Sequence, residues 1–245
     1  MRKIRLFVNE KKLYETFQIK VLEGDFDYLS KVMRQKIGDQ IYIFNGLDGE
    51  FLAEIVSLEK KSLSLLVKEK IADLKNVPNF TLAFAPTKNV AIEFVAKKGV
   101  ELGVASFQPI ITARTIVDKI NEKRFAANIK EGLEQCERND LAQICEIKKL
   151  DKFLSDKDSD DKVFILCDES GEAAKASDVL QKISATKKEI VILIGPEGGF
   201  SGDEFTKMRS LKNLHSISLG PRILRSDTAM IAALTLMQEF LGDWN

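Results

Sequence analysis

EIVILIGPEGGFSGDE, residues 189 to 204, reads in order as an apolar run of strand length, a glycine-rich turn and the first residues of a helix. Ser201 stands three residues before Glu204, the spacing of a capping box, which places the helix start there. The same order recurs on either side. TLAFA leads to NVAIEFVAKKGVELG, and FQPII leads to EKRFAANIKEGLEQCER. KVFILC and HSISLG are likewise strands followed by helical stretches. Strands alternating with helices predict an α/β domain over residues 80–245, built on a mostly parallel sheet covered on both faces. Within it, residues 151–162 carry five Asp and three Lys and read as a solvated surface loop.

Upstream the rhythm differs. Over residues 1–72, RKIRLFV, FQIKVLE, QIYIF, EFLAEIVSL and KSLSLLVKEKI are short and strand-like. Asn45 to Gly49 lies between two of them as a hairpin loop. DFDYLSKVMRQK places apolar residues at helical spacing, so one short helix interrupts the strands. The expectation is a small β-barrel of a kind that binds RNA. A polar stretch with one proline, residues 73–79, is read as the linker.

Composition narrows the function. The 245 residues hold 37 basic and 37 acidic side chains, a net charge of zero, which argues against a uniformly basic RNA coat. Residues 1–72 carry +2 and the remainder −2, a weak asymmetry whose sign suits an RNA-gripping first domain. Three cysteines, Cys136, Cys145 and Cys167, are too few for a zinc ribbon or a disulfide framework, and buried reduced thiols are expected. The single histidine, His215, leaves no His-paired catalysis and no multi-histidine metal site. With no apolar run near membrane length and no apolar stretch after the first charges, a cytoplasmic protein without a membrane partner is expected.

Two segments carry the chemistry. One is the Gly195–Phe200 turn. The other is Leu219-Gly220-Pro221-Arg222-Ile223-Leu224-Arg225-Ser226-Asp227-Thr228-Ala229, where glycine and proline break a strand and two arginines bracket an apolar pair. Both follow the carboxyl end of a strand, the edge at which open α/β sheets bind ligands. Neither is a triphosphate loop or a dinucleotide fingerprint, so a nucleotide-like ligand held by backbone fits better. The helix after Asp227, TAMIAALTLMQEFLGD, is apolar on nearly every side and should be buried on more than one.

With these segments on the page, the chain resembles the bacterial 16S ribosomal RNA uracil-N3 methyltransferases, the RsmE family of the SPOUT superfamily, essentially end to end. The match includes Arg5-Leu6-Phe7-Val8, Leu29 to Arg34, Gly38-Asp39, Phe44-Asn45-Gly46 and Glu134 to Arg138, beside the two segments above. Tyr28 stands where the family usually has histidine, and Ser226-Asp227-Thr228-Ala229 replaces its usual Thr-Glu-Thr-Ala, shortening the carboxylate's reach by one methylene.

The resemblance implies a PUA-like β-barrel followed by a SPOUT domain with a deep trefoil knot, and a homodimer with the knots packed together. It implies S-adenosylmethionine as methyl donor, no metal, and 16S ribosomal RNA of the small subunit as partner, with no DNA. The donor would be held around Leu166, Cys167, Gly195, Pro196, Gly198, Leu219, Gly220 and Thr228, with Ile223 and Leu224 on the adenine. Arg225 is the first choice to face the uracil oxygens and Arg222 the reserve; either Asp227 or Glu197 serves as base. RNA would be gripped by Arg5, Arg34, Lys88, Lys98, Arg114, Arg138 and Arg222. A 2′-O-ribose methyltransferase of the same superfamily and a non-catalytic assembly factor are the alternatives.

Overall fold

The alternating segments at the start of the chain pair into a five-stranded sheet. Its strands are β1 (Arg5–Phe7), β2 (Gln18–Leu22), β3 (Gln40–Phe44), β4 (Glu50–Leu58) and β5 (Ser62–Ala72), in the order β1-β3-β4-β5-β2. β1 runs parallel to β3, and the other pairs are antiparallel. No ladder joins β1 to β2 among the described residues. The computed structural model describes residues 3–88, 90–156, 160–168, 170, 173–183 and 188–244.

The hairpin loop forms as its composition demands. Asn45 Oδ1 accepts from the amides of Leu47 (3.0 Å) and Asp48 (2.9 Å), a side chain standing in for a turn carbonyl. The Leu13 amide and the Asn45 side chain both donate to Asp48, holding its carboxyl below the usual carboxylate range. Helix α1 (Glu23–Asp27) runs on into a π-helical turn, Tyr28–Val32, that buries Leu29 completely. Tyr28 packs on the apolar core formed by Leu6, Ile41, Ile43, Ala53, Ile55 and Leu65.

This first unit spans Met1–Asn76 and also takes in Leu133–Leu141. The added segment overturns the expectation that Arg5 grips RNA. Arg5 is 2% exposed, its Nε donates to Glu50 Oε1 at 2.6 Å, and its Nη atoms donate to the carbonyls of Leu133 (2.6 Å) and Arg138 (2.9 Å). Its guanidinium also lies 4.4 Å from the Phe44 ring centroid. Every face of the group is used inside the fold.

The second unit, Val77–Gly132 and Ala142–Asn245, is the expected parallel α/β sheet. Its main strands are β6 (Phe80–Phe84), β7 (Val104–Ile111), β10 (Lys162–Cys167), β12 (Glu189–Ile194) and β13 (Leu214–Ser218). Two-residue strands β8 (Gln143–Ile144), β9 (Lys148–Lys149) and β11 (Ala174–Lys175) complete it. The order is β11-β13-β10-β12-β6-β7-β8, with β9 beside β7. β6 is buried along its whole length and β12 from its second residue on, the reason both read as continuous apolar runs rather than alternating ones.

Helices α2 (Ile92–Glu101), α3 (Glu122–Gln135), α4 (Leu150–Leu154), α5 (Ala176–Ile183), α6 (Gly202–Arg209) and α7 (Ser226–Leu241) connect the strands. α4 corrects the reading of residues 151–162 as solvated loop: Phe153 and Leu154 are buried, and Phe153 meets Phe164 edge-on at 5.9 Å. Residues 157–159 of that segment lie outside the described ones. α7 buries Met230, Ala233, Leu234 and Met237, while Ile231, Leu236 and Phe240 are only half-buried. No helix among the described residues is long and apolar enough to cross a membrane.

Candidate active site

Pairing of β10 with both β12 and β13 brings three strand ends together. The chain leaves them through Cys167-Asp168, Ile194–Phe200 and Leu219–Arg225, and these stretches with the start of α7 wall a cavity of about 420 Å³. That volume lies in the range of small-molecule sites. The position is the carboxyl edge of the sheet, where the strands present loops rather than side chains of the core.

Local sequence explains the wall. The Phe200 ring lies against Gly195, so that a Cβ there would sit 3.0 Å from it, and any larger residue would push the ring out of place. Gly220 has φ +112°, a conformation side chains disfavour, and nothing lies within 4 Å of where its Cβ would be. Space is therefore left beside the Gly220 backbone. The capping box at α6 is complete: Ser201 Oγ accepts from the Glu204 amide, and Glu204 Oε2 accepts from the Ser201 amide at 2.8 Å. Glu204 Oε1 also accepts from the Ala113 amide (2.7 Å), and Arg114 Nη1 donates to the Gly198 carbonyl (2.6 Å), pinning the turn after β7 to the turn after β12.

Of the residues expected to hold the donor, Cys167, Gly195, Pro196, Leu219, Gly220, Ile223 and Leu224 line this cavity. Leu166, Gly198 and Thr228 do not. Leu166 is wholly buried in β10, Gly198 is turned to Arg114, and the Thr228 hydroxyl donates to Asp227 Oδ1 (3.2 Å). The catalytic candidates Glu197, Arg225 and Asp227 all line it, as does Arg222. Glu197, Arg222 and Arg225 are exposed; Asp227 is half-buried, with Oδ1 accepting from the Thr228 amide at 2.6 Å. Ile223 is 81% exposed, an apolar side chain that nothing in its own chain covers.

The sequence reading missed Asp168 and Phe205 in the lining, and named Phe200 only as the end of its turn. Burial opposes ionisation of Asp168, but Arg209 Nη2 at 2.8 Å and the Ser170 amide at 2.8 Å outweigh it, and the carboxyl sits below its usual range. Its position directly after KVFILC was the available signal. Burial pushes the Cys167 thiol up to about 12, so it stays protonated and is no nucleophile. None of the three cysteines is in a disulfide, and all are half-buried, somewhat more open than expected.

The basic residues divide sharply. Arg34, Lys88, Arg114 and Arg222 are exposed. Lys98 is matched by Glu101 at 2.7 Å. Arg138 is a correction: its side chain is 11% exposed and fastened to Asp140 by two bonds, Nε to Oδ1 at 2.9 Å and Nη2 to Oδ2 at 2.7 Å. A guanidinium held this way, with Arg5 against its carbonyl, belongs to the fold of the first unit and not to an RNA surface.

A parallel sheet whose carboxyl edge encloses a ligand-sized cavity with glycine turns, arginines and a carboxylate defines an α/β domain suited to a nucleotide-like ligand. Residues 75–238 match the RNA methyltransferase domain and residues 23–68 the RNA methyltransferase PUA domain. The chain belongs to the RsmE family of RNA methyltransferases. Ribosomal RNA small subunit methyltransferase E of Rickettsia conorii is 32% identical, covering 96% of this chain and 94% of the relative. The enzyme of that name from Neisseria gonorrhoeae, solved with S-adenosylmethionine bound, is 27% identical with a TM-score of 0.88 over 100% of both chains. A Legionella pneumophila methyltransferase in complex with the same cofactor is 28% identical with a TM-score of 0.87, covering 99% of this chain and 100% of that one.

Proposed function

We propose that this protein transfers a methyl group from S-adenosylmethionine to N3 of a uridine in 16S ribosomal RNA of the small subunit. The observation that carries the reading is one cavity that gathers the three backbone turns with Arg225 and Asp227. Its residues fit the donor: backbone around Cys167, Gly195, Leu219 and Gly220 can approach it closely, and Ile223 and Leu224 offer an apolar cover. When bound, S-adenosylmethionine supplies a methyl group already activated on a sulfonium sulfur.

The chain's own task is then alignment and deprotonation. Uracil N3 carries a proton at neutral pH, and removing it spreads negative charge over O2 and O4. Asp227 is the base, because its Oδ1 is fixed by Thr228 while Oδ2 is left to take a proton; Glu197 is more exposed and less fixed. Arg225 stabilises the forming anion. The N3 electron pair forms the new bond to the methyl carbon, and the carbon–sulfur bond breaks with its electrons left on sulfur. The base must be out of any duplex before this can happen.

RNA binding falls to the first unit as a PUA-like barrel with Arg34, helped by Lys88, Arg114 and Arg222 of the second. A trefoil knot in the second unit and a homodimer complete the picture the family implies, with the half-buried apolar residues of α7 in the contact between copies. The test is single-turnover methylation of small-subunit RNA with Arg225→Ala at saturating donor. Loss of one preorganised donor to a developing anion should slow transfer roughly 100- to 1,000-fold while donor affinity holds. Wild-type rates for the variant would remove Arg225 from the mechanism, and 2′-O-methylated nucleosides in the product would replace N3 as the target.

A further inference from the structure

A second cavity, of about 270 Å³, adjoins the first. The two share Val90, Ile194, Ser226 and Asp227, so the first turn of α7 is a common wall. The remaining lining comes from different chain segments: the stretch after β6, the first turns of α2, the loop before α3 and Met230. None of these was singled out for chemistry by the sequence, Lys88 excepted.

We infer that this second cavity receives the acceptor pyrimidine, delivering its imide edge to Asp227, with Lys119 and Asn121 as positioning residues at the rim. The inference rests on the proposed function and adds where the base sits. Three observations support it. First, Phe84, Val95, Val117 and Met230 give the cavity apolar walls, which suit the two faces of a flipped base.

Second, the polar groups are confined and matched to an imide. Ser226 Oγ is the one buried side-chain polar atom without a hydrogen-bond partner among the described residues. An unpaired buried hydroxyl is costly, and a pyrimidine carbonyl would satisfy it. Beside it, Asp227 accepts the neighbouring N3 proton, while Arg225, which lines only the first cavity, meets the imide oxygens from the donor side. An imide offers this donor-and-acceptor pair side by side; an apolar ligand does not.

Third, the rim supplies further donors. Lys88 and Lys119 are exposed and form no ion pair among the described residues. Asn121 Oδ1 accepts from the Arg124 amide (3.0 Å), so its carbonyl is spent on the start of α3 and its NH₂ is left to face a ligand. The competing occupant is the methionine tail of the donor, whose carboxylate the same lysines could meet.

Two measurements on the full-length protein separate these occupants. Val117 lines the second cavity and not the first, so Val117→Phe fills the proposed base site alone. Displacing a reacting group by an ångström can cost roughly 100-fold, so RNA methylation should fall by that order while calorimetric S-adenosylmethionine affinity stays within about twofold. Wild-type methylation by Val117→Phe, or a parallel loss of donor affinity, overturns the assignment. The second measurement needs no variant fold: with methyl-labelled methionine, the Met230 signal should shift and saturate on titrating uridine 5′-monophosphate into donor-saturated wild type. A Met230 signal moved by S-adenosylmethionine and indifferent to the nucleotide also overturns it. If wild type methylates no uridine yet Met230 answers the nucleotide, the proposed reaction fails while the cavity's ligand class stands.

Discussion

Arg5→Met isolates the strongest structural claim made for the first unit. The guanidinium is 2% exposed, bonded to Glu50 at 2.6 Å and to the carbonyls of Leu133 and Arg138, with Lys3 Nζ on the other oxygen of Glu50 at 2.8 Å. Removing one member of a buried ion pair costs about 3–5 kcal/mol, because the partner stays buried without its match. Lys3 keeps Glu50 partly compensated, which lowers the figure; the orphaned carbonyls raise it. About 4 kcal/mol is the balance, a large share of the roughly 5–15 kcal/mol that holds a domain. Amide hydrogen exchange in the full chain reads this unit by unit. At tenfold per 1.4 kcal/mol, amides of β3 and β4 that exchange by global opening should speed up roughly 700-fold. Those of β10 and β12 should not change. Arg5→Lys should recover less than half, since an ammonium cannot replace a planar fork of donors. Unchanged exchange together with a specific loss of RNA affinity would refute the reasoning and return Arg5 to an RNA surface.

Two further expectations follow from the second unit. Asp168→Asn should cost about 2 kcal/mol at pH 7, the scale of a hydrogen bond to a charged group, and the difference should vanish in acid. The folded carboxyl ionises below its usual range, so its contribution is complete above about pH 4 and is lost as pH falls through the folded value; parallel melting curves for both proteins from pH 7 to pH 3 would contradict this. Leu236→Glu, at a half-buried position of α7, should give a folded monomer in sedimentation, whereas a wild type already monomeric at micromolar concentration would rule out the dimer.

How far the sequence could be read depended on what each pattern senses. Alternation finds strands one at a time, and β1 to β5 lie where it placed them. It does not sense what covers a strand's second side: Arg5 was assigned to RNA on the family resemblance, but its side of β1 is covered by a segment 128 residues distant. Apolar runs located β6, β10 and β12, while β8, β9 and β11 are two residues long and exist only because a neighbour pairs with them. Helix periodicity could not orient α7, whose apolar side chains surround it; only packing distinguishes Met230 and Leu234 from Leu236. In the site, glycines at strand ends announced two of three walls. Asp168 looked like any residue after a strand, and the second cavity is built from three stretches without a common motif.

Those two cavities explain why the charged groups at the site differ in how firmly they are held. A sulfonium donor is reactive already, so most of what a protein can add is alignment, roughly 7–11 kcal/mol of a barrier. Alignment requires that the wall between the two ligands not move. Asp227 and Ser226 sit in the first turn of α7, which is packed on α2, α5 and β12 along its buried side. The far end of that helix is fastened by Gln238, which donates to the Leu102 carbonyl (3.0 Å) and accepts from the Asp243 amide (3.0 Å). Arg225 lies one residue outside the helix, extended, exposed and unpaired among the described residues. On the proposed mechanism, the carboxylate that takes the proton is thus on the packed helix, and the cation that follows the spreading charge is on the extended residue before it.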